Sequence, residues 1–455
     1  MTMQINPVPA SAPMTHCSSF QETFTSIMRA LGGVVILCGL FAHTVGGGAE
    51  AAPSGIPLGN QFRVKLSEAV VVAMADPAER RWGQYQFVTL SAYPGEKLLL
   101  RFHTGEDSVR AYGRAQPAFL SSNQGRSWQP SPDPSSPHAS LVADIFSGQY
   151  LCMPIPKPLD VRALNIEMPK PVGEYFCYRK MLIYRAEQFP AKVRDFLHRQ
   201  PCYRWNPSNG KWLPDETAID MRGRLVWIAQ GTEAGLVSGV TFERPPLRVG
   251  SELLWADYRA LFAMPDGSAP KGCGISCLVS TNNGKSWQFR APIANADAIP
   301  GEISNMTEPV LSLNSKGELV CVMRRTDQEQ KSMLITTSRD QGRTWDTPRA
   351  MDELGKFGVM PDLLRLESGP LILAFGRPGV NLTVSLDGSG KTWEPPISLL
   401  PCEPKNLVVR TDGYTALRAV SASEFLLAYA DFERLDEQGR KRKAVLVRRL
   451  SLERN

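Results

Sequence analysis

Four short stretches of the chain are near-copies of one another. They read SSNQGRSW at 121–128, STNNGKSW at 280–287, SRDQGRTW at 338–345 and SLDGSGKTW at 385–393, the last longer by one residue. No other feature restricts the fold as much. In each copy a Ser closes an apolar run. An Asn or Asp follows (Asn123, Asn282, Asp340, Asp387), whose side chain can bond nearby backbone N–H groups and hold a turn shut. A Gly (Gly125, Gly284, Gly342, Gly390) supplies the positive φ that other residues resist. A Trp (Trp128, Trp287, Trp345, Trp393) brings a large apolar body to the start of the next segment.

What precedes each turn is also repeated. GELVCVMRRTDQEQKSMLITTSRDQGRTW (317–345) holds an apolar run, a polar loop, a second apolar run and the turn. The same order recurs at 95–128, 251–287 and 369–393. The runs are short and rich in Leu, Val, Ile, Thr and Phe, which predicts strands in consecutive hairpins. Frequent glycine (37) and proline (36) agree with many strands joined by turns. Two weaker units, 181–212 with an eroded turn and 423–453 with two strands and no turn, bring the count to six. A sheet module repeated at intervals of about 40–70 residues predicts an all-β, six-bladed β-propeller.

The first fifty residues have a different character. MRALGGVVILCGLFA (28–42) is an apolar run behind Arg29, followed by small and polar residues. It is too short to span a bilayer comfortably and reads as the core of a secretory signal. We therefore expect an export segment over 1–52 and a single domain over 53–455, exported to the periplasm or secreted, with no membrane span in the mature protein. Residues 1–52 hold one Arg and two Glu, so their removal moves the formal charge from +6 to +7. That mild excess does not predict a nucleic-acid partner. Seven of the nine cysteines remain, an odd number, and Cys273 and Cys277 are close enough in sequence to form a small disulfide. No Cys/His spacing suggests zinc, and neither a metal nor another cofactor is expected.

The pattern S-x-D-x-G-x-T-W is the Asp-box. Repeated Asp-boxes in a six-bladed propeller resemble the sialidase (neuraminidase) superfamily over about residues 60–452. In that family the boxes are structural, so a catalytic reading rests on other residues. The resemblance implies arginines that grip a sugar carboxylate, a Tyr nucleophile with a Glu beside it, and an Asp acid/base. The chemistry is intelligible. Arginine's planar fork matches a carboxylate, and a neutral phenol avoids the repulsion an anionic nucleophile would meet, which sets sialidases apart from two-carboxylate glycosidases.

By that resemblance NMTEPVLSLNSKGELVCVMRR (305–325) offers Glu308 as the base that activates the tyrosine, and Arg324 or Arg325 as a carboxylate-binding arginine. TDGYTALRAV (411–420) offers Tyr414 as the nucleophile. RFHTGEDSVRAYGR (101–114) offers Asp107 as the acid/base, with Glu106 as the alternative. Two places depart from the family. The first arginine's place reads YQFVTL (85–90), with Gln86; the third's reads GRPGVNLTV (376–384), with Gly379 there and Arg377 two residues before it. Loss of one ion pair to an anionic substrate costs on the order of 2–4 kcal/mol. Arg80, Arg81 and Arg101 are possible substitutes for it. The expected function is thus an exo-acting glycoside hydrolase on sialic acid or another acidic sugar, with a glycan as substrate. The alternative is a non-catalytic propeller that binds glycan or protein. Residues 150–250, the least regular part, are expected to form blade loops over one face, with Tyr203 and Trp205 as possible sugar-stacking residues.

Overall fold

The structure is a computed structural model and describes residues 55–131, 141–146, 148–177, 179–295, 305–326, 331–403 and 407–455. The expected export segment lies outside the described residues. Strands are the dominant element of the described chain, as the hairpin pattern predicts. Three four-stranded antiparallel sheets each run outward from one inner strand. The first starts at Gln84–Tyr93 and continues through Lys97–Thr104, Ala118–Ser121 and Gln129–Pro130. The second starts at Asn305–Leu313 and the third at Val359–Arg365. An eight-stranded sheet is two such groups fused where Lys211–Ile219 pairs in parallel with Ser286–Ala294. The last sheet is built from both ends of the described chain, because Phe62–Leu66 pairs with Lys441–Arg454.

The inner strands touch in a closed circuit. Gln84–Tyr93 neighbours Val142–Phe146 on one side and Thr415–Ala419 on the other. Thr415–Ala419 neighbours Val359–Arg365, which neighbours Asn305–Leu313, which neighbours Glu252–Asp257. Leu247–Val249, the hairpin partner of Glu252–Asp257, returns the circuit to Val142–Phe146. This is a β-propeller-like ring of sheets. Strands covered on both faces lose the alternation of a half-buried strand: all six residues of Leu371–Gly376 are buried.

The Asp-box turns fasten these sheets to one another. Asp340 Oδ1 accepts from the Arg343 and Thr344 N–H groups at 3.0 and 2.9 Å, and Oδ2 from the Thr344 hydroxyl at 2.6 Å. The Gly342 N–H donates to Ser338 Oγ at 2.8 Å. A Cβ on Gly342 would lie 3.1 Å from Cys277 Sγ in the preceding sheet, and one on Gly125 would lie 2.5 Å from Leu426 in the last. An arginine from a neighbouring strand group then caps a turn carbonyl. Arg290 donates to Gln341, Arg204 to Asn283 and Gly284, and Arg449 to Gln124. These joints therefore combine close packing with a charged donor on a turn carbonyl.

Three expectations need correction. Residues 181–212 are not a hairpin unit. Arg179–Arg185 joins a separate sheet with Gly173–Cys177, Arg224–Ala229 and Leu261–Phe262, while the helix Ala191–His198 leads to Arg199–Asn206 in the eight-stranded sheet. The apolar run of 181–184 suits either sheet equally, so periodicity could not separate them. Cys277 is a buried free thiol, pushed up to about 12 by burial, so it makes no bridge to Cys273, whose Sγ donates to the Tyr258 carbonyl. Tyr203 packs beside Trp212, and Trp205 meets the same ring edge-on; neither lines the cavity described below. Among the described residues no helix is long and apolar enough to cross a membrane.

Candidate active site

Where the inner strands converge, a cavity of about 530 Å³ opens. The inner strands reach it through local irregularities. The pairing register shifts between Thr307 and Val310, between Gln86 and Thr89, and between Val359 and Asp362. At these shifts Glu308 (φ 51°), Phe87 (φ 54°) and Met360 (φ 42°) take left-handed backbone, which is uncommon for residues with a Cβ. A bulge re-aims a side chain, and all three residues line the cavity. The strain sits where a site would need it.

Glu308 is the hub. Its Oε1 accepts from the Tyr414 hydroxyl at 2.7 Å and from Arg324 Nη1 at 2.8 Å, and its Oε2 from the Met360 N–H at 2.7 Å. The residue is 6% exposed. Burial alone would push its carboxyl up. Arg324, the Tyr414 phenol, the Met360 N–H and Arg377 outweigh that and hold it below the usual range, so Glu308 is a carboxylate at neutral pH. Of the two arginines in sequence, Arg324 lines the cavity and Arg325 does not, because neighbouring residues of the strand Leu319–Thr326 face opposite sides.

Tyr414 and Arg377 are brought together by two glycines. A Cβ on Gly376 would fall 1.9 Å from the Gly413 carbonyl oxygen, so only glycine lets these backbones meet. Arg377 Nε donates to the Asp412 carbonyl at 3.0 Å and lines the cavity. The Asp412 side chain fixes the adjoining backbone. Its Oδ2 accepts from the Phe87 N–H at 2.6 Å and its Oδ1 from the Tyr414 N–H at 3.2 Å. Burial pushes the Asp412 carboxyl up to about 6 in spite of these donors and Arg377.

Phe87, not Gln86, faces the cavity. Its ring packs edge-on against Tyr414 with centroids 4.7 Å apart. Gln86 is fully buried and accepts from the Gly83 N–H at 2.6 Å. An aromatic ring thus stands beside the tyrosine on the strand where the family's first arginine was expected. Among the possible substitutes, Arg81 pairs with Glu79 on the surface and Arg101 is buried; neither they nor Arg80 line the cavity. Asp107 does line it. Its Oδ2 accepts from the Trp82 indole at 2.9 Å, and Trp82 meets Phe87 edge-on at 6.2 Å, so Asp107, Trp82, Phe87 and Tyr414 form one contiguous wall. Glu106 lines the cavity too.

Several cavity residues were not singled out in the sequence. Glu243 pairs with Arg259 at 2.5 Å and accepts from the Tyr258 hydroxyl at 3.0 Å. Next to it, the buried Arg244 donates to the Met360, Pro361 and Thr415 carbonyls at 2.9–3.2 Å and lies 3.6 Å from Asp362. Glu233 accepts from the Ser108 hydroxyl and the Val109 N–H at 2.7 and 3.0 Å on one oxygen, and pairs with Arg179 at 3.0 Å on the other. The separation of sixteen positions between Glu243 and Arg259, equal to that between Glu308 and Arg324, was the one readable clue. Among the described residues no group of three or more His, Cys, Asp or Glu is gathered as metal ligands are.

Comparison with known proteins agrees with this architecture. Residues 256–423 match the BNR repeat-like domain family. No curated protein matches the chain. Among solved structures, a protein of unknown function from Dyadobacter fermentans is similar at 15% identity and a TM-score of 0.57, over 86% of this chain and 99% of its own. The Penicillium chrysogenum alpha-L-arabinanase is similar at 15% identity and a TM-score of 0.49, over 84% and 98%. A Hadza microbial sialidase is similar at 15% identity and a TM-score of 0.45, over 79% and 65%. Three of the four Asp-box turns, at 280–287, 338–345 and 385–393, lie within the matched stretch, so this part of the chain is similar to the BNR repeat-like domain family.

Proposed function

We propose that the protein is an exported exo-acting glycoside hydrolase built as a six-bladed propeller, with Tyr414 as nucleophile, Glu308 as its base and Asp107 as acid/base. The observation that carries this reading is the 2.7 Å hydrogen bond from a cavity tyrosine to a buried, ionised carboxylate. Glu308 takes the phenol proton as the Tyr414 oxygen bonds to the anomeric carbon. Asp107 gives a proton to the departing glycosidic oxygen. In the second half Asp107 takes a proton from water, the water oxygen replaces the tyrosine oxygen on carbon, and Glu308 returns the proton to Tyr414. No metal or cofactor enters these steps. Arg324 and Arg377 flank Tyr414 and favour a substrate carboxylate, as in sialic acid or a related acidic sugar. Phe87 in place of a further arginine favours the second reading, a propeller that binds glycan without cleaving it.

The test is hydrolysis of a fluorogenic sialoside, and of a panel of other fluorogenic glycosides, by the wild type beside Tyr414→Phe and Glu308→Gln. The reading expects turnover that falls by about 10²-fold or more in both variants. Turnover that survives in Tyr414→Phe would remove the nucleophile assignment. Glycan binding with no turnover in the wild type would favour the second reading.

A further inference from the structure

The separate sheet of Gly173–Cys177, Arg179–Arg185, Arg224–Ala229 and Leu261–Phe262 is not one of the sheets whose inner strands form the circuit. It still forms part of the cavity wall. Tyr175 pairs with Met181, Met181 with Ala229, and Trp227 stands two residues before Ala229. Side chains two apart share a face, so Tyr175, Arg179, Met181 and Trp227 form one surface, and all four line the cavity.

This sheet is tied to the loop of the acid. Glu233 lies in the loop that follows the strand Arg224–Ala229, is 4% exposed, and bonds Ser108 and Val109, the two residues after Asp107. Arg110 adds hydrogen bonds to the Thr232 carbonyl. The opposite oxygen of Glu233 pairs with Arg179, so the charge that Arg179 brings to the wall is offset. What results is an aromatic, electrically balanced surface anchored to Asp107 and separate from the strands that carry Tyr414, Glu308 and Arg324.

We infer that this wall is the leaving-group subsite and that it takes a neutral sugar ring, stacked on Trp227 and Tyr175. A general acid must reach the leaving-group oxygen, so the group that departs lies on the Asp107 side of the cavity. That side is where Glu233 binds the loop to the sheet. Indole and phenol rings flanked by balanced charge suit the apolar face of a pyranose. The substrate is then a glycan whose second residue is held as well as its first. The inference rests on Asp107 acting as the acid.

A binding experiment on the full chain separates the two claims, because it needs no turnover. Methyl β-lactoside is titrated against the wild type, Trp227→Leu, Tyr175→Ala and Phe176→Ala, with saturation-transfer NMR as the readout. Phe176 is the control, since it is exposed on the opposite face of its strand. The expected result is binding by the wild type and Phe176→Ala, weakened about tenfold in Tyr175→Ala and Trp227→Leu. Circular dichroism and a Trp227→Phe variant guard against misfolding; the phenylalanine should restore part of the binding. No lactoside binding by the wild type, or equal binding by all variants, would overturn the inference. Kinetics supply the second arm. The preference in kcat/KM for 3′-sialyllactose over methyl α-N-acetylneuraminide should fall in Trp227→Leu, and a preference unchanged from wild type would count against the subsite. Lactoside binding that depends on Trp227, with neither sialoside cleaved, would support the subsite while the sialoside-hydrolase reading failed.

Discussion

Arg244 offers the sharpest test of how the ring is held beside the cavity. The perturbation is Arg244→Met, which keeps the apolar stem and removes the guanidinium. Three carbonyls, those of Met360, Pro361 and Thr415, lose a buried charged donor, and Asp362 loses its neighbour at 3.6 Å. Hydrogen bonds to a charged group contribute about 1.5–3 kcal/mol each but do not add when they share one donor. Breaking a buried ion pair from one side costs about 3–5 kcal/mol. The second figure already contains much of the first, so the expected loss is about 3–5 kcal/mol, a large part of a typical 5–15 kcal/mol. Urea unfolding followed by tryptophan fluorescence measures it. The loss should also depend on pH in a definite direction. Burial raises the Asp362 carboxyl in spite of Arg244 and the Leu417 N–H. A raised folded-state value means that stability falls as pH rises through the window above the unfolded value, and without Arg244 that fall should steepen. Adding Asp362→Asn to Arg244→Met should recover about 1–2 kcal/mol at neutral pH. A loss below 1 kcal/mol for Arg244→Met, or strict additivity with Asp362→Asn, would refute the reasoning.

Asp412 makes a second pH prediction. Its carboxyl is raised to about 6 by burial, so between about pH 4 and 6 the folded chain holds a proton that the unfolded chain has released. Wild-type stability relative to Asp412→Asn should therefore fall by about 2–3 kcal/mol from pH 4 to pH 7; a gap that does not change with pH would refute it. The Asp-box aspartate gives the opposite sign. Asp340 is held near 2 by Thr344, Ser338 and Arg343 donors, so what it contributes is present above the ordinary aspartate value and fades as pH falls toward 2. Asp340→Ala should cost about 1 kcal/mol at neutral pH and leave KM unchanged, because Asp340 does not line the cavity.

The ring was legible in the sequence because its joints are written locally. Ser338, Asp340, Gly342 and Trp345 lie within eight residues, and their partners are mostly backbone groups of the same turn. Glu308, Arg324 and Tyr414 were legible only through family resemblance, since 106 positions separate the last from the first. Phe87 was not legible. A bulge shifts the inward position by one residue, and nothing in YQFVTL marks where the register breaks. The helix and the separate sheet were missed because residues 150–250 do not repeat, which left only ambiguous apolar runs. Glu233 was not singled out because its partners Ser108, Val109 and Arg179 lie far from it in the chain.

The joint between the first and last sheets has a consequence for how the molecule comes apart. In a linear stack of repeats the end units have one neighbour, fray first and need special caps. Here Gly125 and Gln124 engage Leu426 and Arg449 as the interior turns engage their predecessors, and Phe62–Leu66 is woven into the final sheet. Among the described residues, no sheet of the circuit is terminal. The chain has ends, but the circuit has none, so partial melting of the ring has no edge at which to begin. Freeing any one sheet gives up two joints of the closed circuit, and that geometry favours one cooperative transition over stepwise peeling.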